Sequence, residues 1–471
     1  MRGLGLKQDK FWMALCVVLG VILFFDGVEL PRVDAKEKSD LLGELRIFTD
    51  VLSIVQRDYV EEVDSKQLVE GAIKGMLSTL DPHSGYLNPE FYSELQVETS
   101  GEFGGLGLEI TLKDNLLLVV APIEGSPAEL QGIQPGDAII KIDGKFTKDL
   151  SLVDAVQRMR GPKGTPITIS VYRKGSSELI NITIVRDVIK VKSVRGRYLK
   201  DSVGFVRMSQ FQENTASELK EVLKKLKSQS PNGDLAGLIL DFRNNPGGLL
   251  NQAIVVSDLF LDEGVIVYTD GRVENQKKKF FASSRATEPN YPIIVLVNGG
   301  SASASEIVAG ALKDHGRALI LGTRTFGKGS VQTILPLDNS GALRLTTALY
   351  YTKSGRSIQA TGVDPDIVMD VADPVEEQEQ VQEKPKEPAR HLRESDLPGA
   401  ISNPSGILEE QKDQIEEEKA KLQKAARLRN IETADLKELF EADAQLARAF
   451  DLLKTFNIFQ KDKSLVASMV K

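Results

Sequence analysis

The sequence predicts an α/β layered domain preceded by a smaller β-rich module, with helical regions towards both ends of the chain. Three observations carry this. From Ser202 onward strand-like apolar runs alternate with helical spacing: Val203–Met208, Thr215–Leu226, Ala236–Phe242, Leu249–Leu261, Ile293–Asn298 and Ser303–Asp314. Such an order implies a sheet layered with helices. Between Gly101 and Val185 short strands and glycines dominate instead. Outside both stretches apolar residues recur at helical spacing. The 471 residues are enough for several domains.

Composition narrows the chemistry. With 41% hydrophobic and 27% charged residues the chain is an ordinary globular one. A net charge of −8 argues against nucleic acid as a main partner, because phosphate binding needs a basic surface. One cysteine, Cys16, excludes a disulfide framework, a cysteine-ligated zinc site and a cysteine nucleophile in the folded part. His83, His315 and His391 are too few for a multi-histidine metal site. Chemistry therefore falls to Ser, Lys, Asp, Glu and backbone groups, and no cofactor or metal is expected.

The elements follow in order. Over 1–35, Arg2, Lys7 and Lys10 precede an uncharged run from Phe11 to Phe25, followed by Asp26. This is the charged and apolar pattern of an export signal, and the run is short for a membrane span. Val33-Asp34-Ala35 offers compact residues for cleavage, and Cys16 lies inside the apolar run. The expectation is export across the cytoplasmic membrane, into a bacterial periplasm or attached to the membrane facing it. Residues 36–97 read as helical: Leu45, Phe48, Val51, Leu52 and Val55 share a face, and Asp64-Ser65 starts a second helix before Leu68, Ile73 and Leu77. Residues 98–187 form the β-rich module, with strands at Leu106–Thr111, Leu116–Pro122, Ala138–Ile142, Ile167–Arg173 and Leu179–Val185 and a helix near Leu152–Arg160. The α/β domain spans 188–370, with three more strands in Ala318–Gly322, Ser330–Leu337 and Ala342–Tyr351. Residues 371–406, rich in Glu, Gln and Pro, read as a disordered linker. Helical spacing returns over 407–471, with Leu436, Leu439, Leu446 and Phe450 on one side.

Three stretches carry chemistry. In Tyr291–Asp314 an apolar strand ends in Gly-Gly and opens a helix, so a serine there sits at the sheet edge among helix N–H groups. Ser301, Ser303 and Ser305 could equally cap the helix. In Thr323–Gln332, Lys328 lies between two glycines. A lysine enclosed in a low-dielectric pocket can lose its proton and take one from a serine; alone, it reads as a solvated turn residue. Gly322–Lys328 also satisfies G-x-x-x-x-G-K, and Leu238–Asp241 resembles a strand ending in a metal-binding Asp. Gly329 stands where a nucleotide loop needs Ser or Thr, however, and a β-rich stretch follows. Finally, Leu238–Leu250 ends a strand in Asn-Pro-Gly-Gly, which can aim backbone N–H groups at an oxyanion or simply begin a helix at Pro246.

Together RNNPGG, SASASE and FGKGSVQ, in this order, resemble the C-terminal processing (tail-specific) peptidase family of serine proteases. The resemblance covers Leu41–Asp370 and includes LDPHSGYL at Leu80–Leu87. It implies an α/β core of the crotonase-like type, Ser303 as nucleophile, Lys328 as general base and Gln332 supporting the lysine. It further implies oxyanion donors at the amides of Gly248 and Ala304, with Gly247 the near alternative. Gly104-Gly105-Leu106-Gly107 and SPAELQGIQPGDAIIKIDG at Ser126–Gly144 resemble the PDZ domain inserted in this family. In such a module the glycine loop would take a peptide's terminal carboxylate and the strand edge its backbone, with Leu106 and Leu108 lining the pocket. Arg160 is similar to an arginine that couples PDZ position to activity in some members. The expected function is that of an exported serine endopeptidase acting on protein or peptide substrates, with no cofactor; the alternative is an inactive PDZ-type scaffold. His83 and His315 are expected to be structural. The apolar stripe after Ile407 is too short to stand alone in water. It must therefore cover itself on the protease, a second subunit or another partner; a homo-oligomer whose size depends on residues after Ile407 is expected, and the resemblance adds an adaptor protein, which some members use.

Overall fold

The computed structural model describes residues 35–113, 116–148, 150–173, 176, 178–285, 287–370 and 435–461. Residues 1–34, where an export signal is expected, residues 371–406, where a linker is expected, residues 407–434 and the last ten residues lie outside them. Two compact units divide at Gly75. In the first, helix Ala35–Asp58 is followed by the start of helix Ser65–Ser78, where the Asp64 carboxylate accepts the Lys66 N–H at 3.0 Å. Leu41, Leu45, Phe48 and Val51 on the first helix are exposed. Among the described residues no helix is long and apolar enough to cross a membrane.

The second unit is built on a six-stranded sheet whose spatial order is also its chain order. Val194–Tyr198 pairs antiparallel with Val203–Met208, and Gly237–Asp241, Ile293–Val297, Ala318–Gly322 and Ile367–Val368 follow in parallel. Gly237–Asp241 and Ile293–Val297 are buried at every position, which is why 237–240 and 293–297 read as apolar runs. Period two sorts their side chains. Leu238, Leu240, Val295 and Val297 meet helices Thr215–Gln229, Leu250–Asp258 and Ala304–Asp314 in one core. Ile239, Ile294 and Leu296 face the opposite way and are covered by helices Leu436–Ala442 and Ala444–Lys461 through Leu439, Leu446, Phe450 and Leu453. The C-terminal stripe thus covers itself on this domain's own sheet.

A second, antiparallel sheet joins Gly85–Leu87, Ala342–Tyr351, Val265–Gly271 and Lys278–Phe281, with Ser330–Pro336 also pairing with Ala342–Tyr351. Three of these strands, at 85–87, 265–271 and 278–281, carry no sequence expectation. The β-rich module has its own core and a sheet ordered Leu108–Lys113, Leu116–Pro122, Ala138–Ile142, Pro166–Tyr172 and Ile180–Val185, packed on helix Leu152–Met159. Leu108–Lys113 is an edge strand of that sheet.

Candidate active site

The buried strand Ile293–Val297 delivers the chain to a turn from which helix Ala304–Asp314 starts. The three serines of this turn have different fates. Ser301 Oγ donates to the Phe242 carbonyl at 2.8 Å and accepts the Asn298 N–H at 3.0 Å. Ser305 Oγ donates to the Asn245 carbonyl at 3.0 Å, and both serines are wholly buried. Ser303 is only partly buried, and its side chain makes no capping hydrogen bond. Its φ of 55° and ψ of −114° lie outside the regions an L-residue normally occupies. Such a conformation costs about 1–3 kcal/mol and persists only where surrounding bonds impose it.

Glu306 imposes it. This carboxylate has no exposed surface and accepts four donors. Oε2 takes the amides of Ser303 at 2.8 Å and Lys328 at 2.9 Å; Oε1 takes the Gly327 amide at 2.8 Å and the Thr325 hydroxyl at 2.5 Å. Burial pushes the Glu306 carboxyl up to about 7, against the pull of those four donors. Tyr350, also buried, bonds through its hydroxyl to the carbonyl of Lys328 and lies 3.3 Å from that of Ser303.

The glycines around Lys328 answer to a close approach. A Cβ on Gly329 would lie 2.4 Å from the Gln359 nitrogen, and the Gly329 N–H donates to Gln359 Oε1 at 2.8 Å. Gly327 accepts the Ala360 N–H at 2.7 Å, so residues 359–360 wrap the lysine loop. The loop runs into strand Ser330–Pro336, where a phosphate-binding loop would open a helix. On that strand Gln332 Nε2 donates to Ser330 Oγ at 2.9 Å and Thr346 Oγ1 at 3.4 Å. Thr346 Oγ1 donates in turn to Asp81 at 3.0 Å. Asp81 also accepts the His83 and Ser84 amides and the Ser84 hydroxyl, which hold its carboxyl below the ordinary range although burial opposes them. The LDPHSGYL motif therefore buttresses the strand that carries Gln332.

The 244–248 loop packs on the serine turn. Gly247 has φ of 100°, and a Cβ there would sit 2.7 Å from Ser303 Cβ and 2.8 Å from the Ala304 nitrogen. Asn245 ties the two together: Oδ1 accepts the Gly247 N–H at 2.9 Å, while its carbonyl accepts the Ala302 N–H and the Ser305 hydroxyl, each at 3.0 Å. The Gly247 amide is thereby engaged. Those of Gly248 and Ala304 donate to no acceptor among the described residues. His315 Nε2 sits 2.8 Å from the Val265 carbonyl, a tie between a helix end and a strand.

In the β-rich module Gly104 and Gly105 lie in a strand paired with Asp187–Lys190. Leu106 is buried in the module's core, whereas Leu108 is partly buried at the start of the edge strand. Gly107 has φ of 76° and its carbonyl accepts the Ser126 hydroxyl at 3.1 Å. The Leu106 and Gly107 amides donate to no acceptor among the described residues. Arg160 ends helix Leu152–Met159 with its guanidinium 5.2 Å from the Phe103 ring centroid.

Sequence reasoning missed Glu306, Asn245 and Tyr350. Glu306 carried a usable signal, since a Glu three residues after Ser303 stands at the capping-box position. Tyr350 carried none. Among the described residues no cluster of His, Cys, Asp and Glu could hold a metal ion.

Comparison with known proteins gives three matching models: peptidase family S41 over residues 202–369, the activating protease CtpB N-terminal domain over 27–91, and a PDZ domain over 118–173. A carboxy-terminal-processing protease of Bartonella bacilliformis is 49% identical over 358 residues, 74% of this chain and 82% of that protein. A carboxyl-terminal-processing protease of Synechocystis is 36% identical over 387 residues, covering 78% and 89%. Among solved structures, a photosystem II D1 C-terminal processing protease aligns over 69% of this chain and 92% of its own, at 30% identity and a TM-score of 0.41.

Proposed function

Because the chain belongs to peptidase family S41, with an α/β core and an inserted PDZ domain, we propose that it is a carboxy-terminal processing serine endopeptidase using Ser303 and Lys328 as its catalytic pair. The observation that carries this is the shared Glu306 carboxylate, which brings the backbones of these two residues to one oxygen. In the mechanism Ser303 Oγ attacks the scissile carbonyl carbon while the neutral Lys328 amine takes its proton. The tetrahedral oxyanion is stabilised by the Gly248 and Ala304 amides, which have no other acceptor among the described residues. Collapse breaks the C–N bond, and the lysine returns the proton to the leaving amine. Water then hydrolyses the acyl-enzyme by the same route. Gln332, buttressed through Thr346 and Asp81, supports the strand next to the lysine loop.

The PDZ domain reads substrate C-termini in this proposal. The open edge of Leu108–Lys113 can pair with a peptide backbone, and the Leu106 and Gly107 amides suit a terminal carboxylate. Arg160, at the end of the PDZ helix, is the residue through which PDZ position would bear on activity. Export, and attachment through the N-terminal segment, belong to the same proposal on the charge pattern of residues 1–35. So does self-association, favoured by the exposed apolar side chains of helix Ala35–Asp58. An adaptor protein rests on the family resemblance alone. Incubating a protein substrate such as casein with wild type and Ser303→Ala tests the central reading. Turnover that survives in folded Ser303→Ala overturns it, and a wild type without turnover on any peptide favours the inactive scaffold.

A further inference from the structure

The C-terminal helix pair does more than cover the sheet. Asp443 sits at the junction of its two helices, and its Oδ1 accepts the Leu446 N–H at 3.0 Å, so its carboxylate is fixed by the fold of the pair. Opposite it lies Arg243, buried just after strand Gly237–Asp241. An arginine offers five N–H donors, and here each has a named acceptor. Asp241 takes Nε at 2.9 Å and one Nη2 hydrogen at 2.8 Å. Asp443 takes Nη1 at 2.9 Å and Nη2 at 2.6 Å, and Gln445 Oε1 takes the remaining Nη1 hydrogen at 3.0 Å. Gln445 is itself tied, since its Nε2 donates to the Met369 carbonyl at 2.5 Å. Three of the five bonds thus come from residues 200 or more positions away in the chain.

Arg243 is also the residue from which the 244–248 loop departs. Asn244 follows with φ of 56°, then Asn245, whose side chain and carbonyl hold Gly247, Ala302 and Ser305. A shift of the guanidinium would pass along the backbone through Asn245 to Gly247, which packs against Ser303, and to the Gly248 amide next to it. We infer that Asp443 and Gln445 are positioning residues for the peptidase reaction: by holding Arg243 they set the loop that presents Gly248, so the active site is in register only while the C-terminal helix pair is docked. This rests on the roles proposed above for Ser303, Lys328 and Gly248.

The test uses the full-length protein and two readouts. In Asp443→Asn, which keeps the side-chain shape and removes the charge, kcat should fall about 10–100-fold with KM within about twofold, because a displaced oxyanion donor affects the transition state. Hydrogen exchange at the bonded amides of Asn244, Asn245 and Gly247 should rise about tenfold or more while thermal unfolding stays cooperative. Gln445→Met, which removes the bonds to Arg243 and to the Met369 carbonyl and leaves Asp443 in place, should show both effects at smaller size. Lys454→Ala, on the same helix pair and paired at the surface with Asp201, should leave both unchanged. Unaltered exchange at these amides in folded Asp443→Asn overturns the inference, as does a loss of turnover that only tracks the unfolded fraction. A wild type lacking Ser303-dependent turnover overturns the catalytic reading instead, and the exchange measurement still decides the coupling.

Discussion

The amides of Ser303 and Lys328 donate to one and the same oxygen, Glu306 Oε2, at 2.8 and 2.9 Å. One residue ends the turn before helix Ala304–Asp314 and the other lies in the loop before strand Ser330–Pro336, and this one buried atom joins them. It also ties the strained backbone of Ser303 to the glycine loop of Lys328, so neither can shift without disturbing the other.

Glu306→Gln should therefore lower kcat about 10–100-fold, more than it lowers stability. The new amide keeps one acceptor but turns an NH2 towards groups that are themselves donors. Glu306→Ala, which leaves all four donors without the carboxylate, should also melt well below wild type. Steady-state kinetics alongside thermal melts checks both, and wild-type turnover in Glu306→Gln would remove the clamp from the mechanism.

The pH dependence has a defined sign. Glu306 titrates at about 7 in the fold against an ordinary value of 4.5, so the native state favours the protonated form. The stability this contributes is complete below about 4.5 and is lost as pH rises through about 7. Activity should run the other way, since the ionised carboxylate accepts all four donors and a base lysine must be neutral. Rate profiles and melting temperatures between about pH 5 and 9 should show opposed trends in wild type. In Glu306→Gln the fall in melting temperature through 7 should disappear, and the rising rate limb that remains should belong to Lys328. A fall that persists in Glu306→Gln would assign it to another group.

Ser303→Ala and Lys328→Ala should each abolish proteolysis without unfolding the protein, and the double variant should be no worse than either, because the pair acts as a unit. Ser301→Ala and Ser305→Ala offer the contrast. Each removes a buried hydroxyl from a backbone carbonyl and should cost about 1–3 kcal/mol of stability while keeping substantial turnover. Loss of activity confined to Ser301→Ala or Ser305→Ala, with Ser303→Ala active, would reassign the nucleophile.

Amidating the C-terminus of a substrate peptide should weaken its binding to the PDZ domain about tenfold or more, since the Leu106 and Gly107 amides would lose a charged acceptor. Cleavage at high substrate should survive. Equal affinity for acid and amide forms, measured by titration calorimetry, would separate the PDZ domain from C-terminal recognition.

What was readable in advance was local. The alternation after Ser202 foretold the layered domain because parallel strands buried on both faces read as apolar runs, as 237–240 and 293–297 do. The glycines beside Lys328 and the Gly-Gly after Pro246 were readable for a similar reason: backbone packed that closely tolerates no side chain. The short strand at 85–87 was not readable, since among the described residues it pairs with the distant Ala342–Tyr351 and nothing local distinguishes it from a loop.

Family membership and the layered core were legible in the chain alone, because periodicity, glycine placement and motif order are properties of neighbouring residues. Only the tertiary structure decided which of three serines keeps its hydroxyl clear of the backbone carbonyls, and which of two adjacent glycines has a spare amide. It alone placed the C-terminal apolar stripe on the protease's own sheet and Asp443 on Arg243. The physical reason is that each of these depends on a buried polar group finding its partner across the fold. Ser301 meets Phe242, Asn245 meets Ser305, and Glu306 meets Lys328, contacts between segments that approach only once the sheet has assembled.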